Sequence, residues 1–175
     1  MRFYVRHQDG RDWKRGVVFA KEIVPKPLIS IIANTLYGQK YVSLPMGHQW
    51  KRETDETQTV EYSWKIDGQR DYIRVNASGS GSPLLPGSHE EFITEHYWGY
   101  TRIGEKVTSE YEVVHPRWNI YPANDCEIQC SAEKLYGRKF AACLAGPPET
   151  VFLAEGSPVA VKKGKQIRAS HANNA

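Results

Sequence analysis

The sequence predicts a β-rich α+β domain, largely antiparallel, with about three short helices set into its connections. Three observations point there. Residues 58–77, "QTVEYSWKIDGQRDYIRVNA", are two alternating runs joined by Asp67-Gly68, a two-residue hairpin turn. The other apolar runs are short and separated by turn residues. Strands and helices do not alternate as a βαβ sheet requires.

The elements follow in order. "RFYVRH" alternates and reads as a strand beginning at the second residue. "RGVVFAKEIV" (15–24) is apolar on both sides, which predicts a strand buried on two faces, with Lys21 and Glu22 near its end. In "PKPLISIIANTLYG", Leu28, Ile31, Ile32 and Leu36 recur at helical spacing, prolines open the segment and Gly38 stops it. The Asp67-Gly68 turn pairs Ile66 with Gln69, Trp64 with Asp71, Tyr62 with Ile73 and Val60 with Val75. One face then collects Val60, Tyr62, Trp64, Ile73 and Val75 as core. The other sets Glu61 across from Arg74 and Ser63 across from Tyr72. Ser88 and Glu91 form a capping-box pattern for a short helix through "HEEFIT". A second hairpin turns about Gly104, "CEIQC" reads as a strand, and "SAEKLYGRKFAACLAG" as a helix with a break at Gly137. Two short strands about Gly156 close a set of roughly eight.

At 175 residues the chain is the size of one domain, placed at 1–161, with enough length to bury a core. Lys162, Lys163, Lys165 and Arg168 give the last fourteen residues a charge of +4 within a total of +3, leaving 19 basic and 20 acidic residues before them. A near-neutral body argues against a nucleic-acid partner, and residues 162–175 read as a basic, flexible tail. No apolar run is long enough to span a bilayer, and the first residues lack a signal-peptide core, so a cytoplasmic protein without a membrane partner is expected. Cys126, Cys130 and Cys143 are too few and too poorly spaced for a disulfide frame or a zinc site, and read as small buried hydrophobes.

Chemistry rests on few residues. His115 shares a strand face with Tyr111 and Val113, as a hydrogen-bonded core residue or as a proton-transfer group in a pocket. Glu95 precedes Tyr97, Trp98 and Tyr100, either lining an aromatic pocket or hanging in solvent from a helix end. Counting from a turn at 103–105 puts residue 97 near 111 and residue 95 near 113, so Glu95 and His115 are expected to line one cavity with Tyr41 or Tyr97. Metal-ligand spacing, a phosphate-binding loop and a nucleophile elbow are absent, and no cofactor is expected.

"RFYVRH", "GVVFAKEIVP", "LYGQKYVSLPM", "FITEHYWGY", "VVHPRWNIY" and "LAGPPETVFLAEGSPVAV" resemble, in that order, the YqjF-like family of uncharacterised conserved bacterial proteins. That family resembles acetoacetate decarboxylase in fold, which implies a cone-shaped antiparallel β-barrel around a small-molecule pocket but no activity. Members of that family generally carry several dozen residues before the segment that here begins at Met1, which implies either a start placed too late or a truncated barrel with an open edge that self-association would cover. The decarboxylase carries its reactive lysine in a Trp-Gly-Phe-Pro-Lys-Lys run after a short helix. With Gly38 on that glycine, the lysine positions fall on Tyr41 and Val42, and Lys40 comes one residue early. A one-residue offset reverses the face, so Tyr41 points into the pocket and Lys40 out. "LYGRKF" (135–140) repeats the pattern where no site is proposed, so Lys40 reads as a solvated cation.

Three functions remain. The first is a small-molecule-binding barrel, its ligand an organic acid, with Tyr41, Arg74, Glu95 and His115 as polar groups and Tyr97, Trp98 and Glu22 beside them. The second is a lyase-like enzyme on an organic or keto acid, using His115 or Glu95 as general acid/base and Arg74 for the carboxylate. The third is a structural or interaction protein.

Overall fold

The computed structural model describes residues 1–38 and 40–168, without the side chains of Leu36 and Tyr37. The chain is β-rich with few helices, and its main sheets curl into a half-barrel. The first sheet joins β1 (Arg2–Asp9), β2 (Asp12–Phe19), β8 (Trp98–Arg102) and β9 (Val107–Val114) in that order. The free edge of β9 takes two short strands, β12 (Ala160–Val161) and β13 (Lys165–Arg168). The second sheet runs β11 (Phe152–Ala154), β10 (Ile120–Gln129), β7 (Gln69–Ser78), β6 (Thr57–Ile66) and β5 (Met46–Arg52). A third pairs β3 (Glu22–Val24) with β4 (Tyr41–Ser43).

The strands are more numerous than expected, and two pairings, β2 with β8 and β3 with β4, are parallel. The expected strand 15–24 is two, broken at Ala20 and Lys21. The helical pattern of 27–37 gives α1 (Pro27–Tyr37), stopped by Gly38 at φ 62°. Its Leu28, Ile31 and Ile32 are exposed, because the helix rests on the short β3–β4 pair rather than over a sheet. Leu36, the fourth member of that stripe, lies outside the described side chains. In α2 (His89–Thr94) the Ser88 hydroxyl accepts from the Glu91 N–H at 3.1 Å as the capping pattern predicts, but the Glu91 carboxylate accepts from Gly87 rather than from Ser88. Gly137, at φ 79°, separates α3 (Ala132–Tyr136) from α4 (Arg138–Ala141).

The β6–β7 hairpin has the predicted register throughout, and Asp67 (φ 50°) and Gly68 (φ 79°) make the turn. Its core face is corrected. Trp64 is buried at the turn end, where Ser131 and Lys134 tie α3 to Asp71 and Asp67, but Tyr62 is 54% exposed and Ile73 38%. The same face is buried again at its other end, at Gln58 (6% exposed) and Ala77 (2%), and its middle lines a cavity with Tyr121 and Leu153. The polar pair on the other side holds the buried group. Glu61 is 3% exposed and accepts from Arg74 at 2.8 and 3.0 Å and from Arg70. Asp71, wholly buried, accepts from the Ser131 N–H (2.7 Å) and hydroxyl (3.0 Å), which ties the hairpin to the start of α3.

Part of the basic segment read as a tail is strand. Lys165–Arg168 pair antiparallel with residues 107–110 of β9, and residues 169–175 lie outside the described residues. The register slips by one residue between Val161 opposite Val113 and Lys165 opposite Glu110. Gly164 sits in that bulge, where a Cβ would stand 2.5 Å from the Glu110 carbonyl oxygen. The three cysteines are free; Cys126 and Cys130 are half-buried and Cys143 is exposed, so the buried reading does not hold for the last. Among the described residues no helix is long and apolar enough to cross a membrane.

Candidate functional site

The groove beside β9 is built from local geometry. Gly99 lies opposite Tyr111, and a Cβ there would stand 2.2 Å from the Tyr111 ring. The missing side chain lets the phenol lie across its neighbour strand. Tyr41 is held from α1: the Asn34 side chain donates to the Tyr41 carbonyl at 2.9 Å and accepts from its N–H at 2.8 Å. The Tyr41 hydroxyl lies beside the Glu22 carboxyl across the β3–β4 pair. Burial and that neighbour push the Tyr41 hydroxyl far above its usual range, and burial raises the Glu22 carboxyl, which Tyr41 partly offsets.

Tyr41, Tyr111, Ser109 and Ala33 line a cavity of about 420 Å³, closed by residues 161–164. A second, of about 560 Å³, adjoins it through Ser109, Lys163 and Gly164 and extends to Thr35, Arg102 and Lys165. Together they form a groove between α1 and the C-terminal strap. Its lining includes Arg102, Lys162, Lys163 and Lys165 and no carboxylate. Lys162 is paired with Glu112 (2.9 Å), and Lys165 with Asp9 (3.1 Å) and Glu110 (3.4 Å). Lys163 carries no ion pair among the described residues, and Arg102 donates to a backbone carbonyl. The positive charge of the groove therefore rests mainly on these two.

Glu95, Tyr97 and His115 meet elsewhere. Trp98 opposes Glu112, so the β8–β9 register is two residues longer than counted, and Val113 donates to the Tyr97 carbonyl. That brings Glu95 level with His115 and keeps the predicted faces. The Tyr97 hydroxyl donates to Glu95 Oε2 at 2.5 Å, and burial and that bond push it up to about 12. The Tyr97 ring stacks on His115 at 5.0 Å, and His115 stacks on Trp118 at 4.1 Å with Nδ1 2.8 Å from the Pro116 carbonyl oxygen. Arg117 Nε lies 3.9 Å from Glu95, while Glu95 Oε1 is buried without a partner among the described residues.

The structure thus brings Glu95, Tyr97 and His115 into one stack and sets Tyr41 and Glu22 apart from it. The cavity at Tyr41 is lined by neither Glu95 nor His115, because stacked rings occupy the far end of that sheet face. Trp98 falls on the opposite face, with the Lys14 ammonium 4.0 Å from its ring centroid. Arg74 is fastened to Glu61 and Glu127 on the second sheet and reaches neither cluster, so its expected role as a carboxylate ligand is not supported by its position. Lys40 is exposed and lines a different cavity with Phe19 and Tyr100, on the side away from Tyr41.

Sequence reasoning missed Tyr111, Ser109, Arg102, Lys162 and Lys163 as groove residues. A glycine facing an aromatic marks a close approach, but the counted register set residue 97 rather than Gly99 opposite Tyr111 and hid that signal. The lysines gave none, because the segment carrying them read as solvent-borne. His96 is buried between Tyr4 (4.7 Å) and Phe92 (5.1 Å); burial, then Arg15 and Arg2, lowers it to about 4, so it is neutral at pH 7. Among the described residues no group of three or more His, Cys, Asp or Glu is placed to hold a metal ion.

The model of the family described as an uncharacterized conserved protein (DUF2071) matches residues 1–158. The chain belongs to that family. Neither a curated protein nor a solved structure matches it.

Proposed function

We propose that this member of the uncharacterised family binds a small organic anion in the groove between α1 and the strap of residues 161–166. The observation that carries the reading is the lining. Two adjoining cavities are each lined by basic side chains, with Lys163 common to both and two phenols in the first, and neither is lined by a carboxylate. An anion entering there meets Lys163 and Arg102 with no acid of the lining to compete. With the Glu22 carboxyl beside the Tyr41 hydroxyl, the cations rather than that phenol carry recognition, while the rings of Tyr41 and Tyr111 supply an apolar wall. The cone-shaped barrel of the acetoacetate-decarboxylase type fits this reading, with support from the curled β-rich sheet and from Tyr41 on the cavity side of the segment after α1.

The test compares acetate, benzoate and citrate with benzamide by thermal shift and calorimetry at fixed ionic strength. Carboxylates are expected to stabilise the protein saturably, and the neutral amide is not. Lys163→Gln with Arg102→Gln should weaken carboxylate binding by about tenfold or more, the loss of roughly one charge-assisted contact. Equal stabilisation by benzamide, or none by any carboxylate, would refute the proposal. The enzyme reading draws on one observation, the buried Glu95–Tyr97 hydrogen bond beside His115. It predicts that Glu95→Gln abolishes turnover of a keto acid, whereas the binding reading predicts that this variant leaves carboxylate affinity unchanged.

A further inference from the structure

β5 is the last strand of the second sheet, and its residues from Gly47 onward are exposed. Its pairing with β6 fixes which of its backbone groups are free. The Lys65 N–H donates to the Pro45 carbonyl and the Glu53 N–H to the Thr57 carbonyl, so the odd-numbered residues face β6. By the alternation of an antiparallel ladder, Met46, His48, Trp50 and Arg52 turn their N–H and C=O groups to the open edge. Trp50 is 70% exposed on the same face as Tyr62; its indole N–H donates to Gln58 Oε1 at 3.0 Å, and both rings line a cavity that opens at that edge. On one side the run of free donors ends at Met46, because the next even residue, Leu44, already donates to the Val24 carbonyl at 3.1 Å.

We propose that a second copy of this chain pairs with β5, antiparallel and two-fold symmetric about Gln49. The chain's own sequence selects the partner and the register. Only pairings that set even residues against even residues satisfy the free groups. Of these, the one centred on Gln49 engages all four. It sets His48 against the partner copy's Trp50, Met46 against Arg52, Gly47 against Lys51 and Gln49 against itself. No like charges face each other. Centring on Trp50 would set His48 against Arg52 and leave Met46 unpaired; centring on His48 would leave Arg52 unpaired. The result is an isologous interface that continues the sheet across the two-fold and buries the Trp50 indole.

The test reads mass and a cross-link. By light scattering on a sizing column the wild type is expected at twice 19.9 kDa. His48→Pro removes an outward N–H and leaves the β6 bonds intact, so this variant should run as a monomer with unchanged circular dichroism. Gln49→Cys should form an interchain disulfide under mild oxidation, since a non-hydrogen-bonded pair across a two-fold brings the Cα atoms into disulfide range. Lys51→Cys, facing Gly47, should not, and the wild type controls for Cys126, Cys130 and Cys143. A monomeric wild type, a dimeric and folded His48→Pro, or equal cross-linking of the two cysteine variants would each overturn the proposal.

Discussion

Glu110 offers the sharpest energetic test of how the first sheet is held. Its carboxylate is 2% exposed and accepts from Lys14 (3.1 Å) and the Tyr100 hydroxyl (3.1 Å), with Lys165 at 3.4 Å. Asp9 joins Lys14 at 2.7 Å and Lys165 at 3.1 Å, so the cluster fastens β13 to the β1–β2 hairpin. Glu110→Gln keeps the shape and one acceptor but removes the charge. Each bond to a charged partner contributes about 1.5–3 kcal/mol. The Lys165 contact is discounted because that side chain is 56% exposed. The amide retains part of one of the two remaining bonds, so the loss should be about 2–3 kcal/mol. With a urea slope of about 2 kcal/mol/M, the midpoint should fall by roughly 1–1.5 M at pH 7. Burial alone would raise the Glu110 carboxyl, but Lys14 and Tyr100 outweigh it and hold it below the usual range. Asp9 is held at about 2 by Lys14 and Lys165. For carboxyls depressed in the folded state, the stabilisation is present above the unfolded value and is lost as pH falls through the folded one. The gap between wild type and Glu110→Gln should therefore close on acidification below about pH 4. A loss under about 0.5 kcal/mol, or a gap that widens in acid, would refute the argument.

Two further substitutions probe packing. Trp64→Ala should cost about 3–5 kcal/mol, whereas Tyr62→Ala, on the same face but half exposed, should cost under about 1.5 kcal/mol; urea midpoints that match would mean the face is covered at Tyr62 too. Gly99→Ala sets a Cβ against the Tyr111 ring and should destabilise by about 1–3 kcal/mol, and adding Tyr111→Ala should recover part of that loss. Strictly additive losses in thermal unfolding would show that the ring does not lie across Gly99.

The parts of the fold that were legible are those settled within a few residues. The Asp67-Gly68 turn determines the β6–β7 ladder by itself, since the turn type leaves one register open. Gly38 and Gly137 end helices where their φ values require glycine. What misled was the step from pattern to burial. Alternation put Tyr62 and Trp64 on one face correctly, but burial depends on what lies above: that face is buried at Trp64 and at Gln58 and open at Tyr62 between them. The parallel β2–β8 contact joins segments some eighty residues apart and leaves no local trace. β13 and the strap before it were obscured by composition: Lys165 is balanced by Asp9 and Glu110 and Lys162 by Glu112, acids on other strands that no window around the tail contains.

The candidate site was legible to the extent that parity governs it. Tyr41 and Lys40 are neighbours on an extended chain, so one faces the groove and the other faces away, and a single offset from the helix stop decides which. Parity likewise survived the two-residue error in the β8–β9 register: an even slip changes which residues are opposite but not which face they share. Tyr97 and His115 therefore still meet, and Trp98 still turns from them toward Lys14. Parity is silent on how far along a face two residues lie. Tyr111 and His115 share one, but four residues of strand separate them by about 13 Å, and rings fill the His115 end. A ligand bound beside Tyr111 and Lys163 would consequently be recognised by charge and an aromatic wall, out of direct reach of the Glu95 carboxylate. That distance is the physical reason to read the groove as a binding site before reading it as a catalytic one.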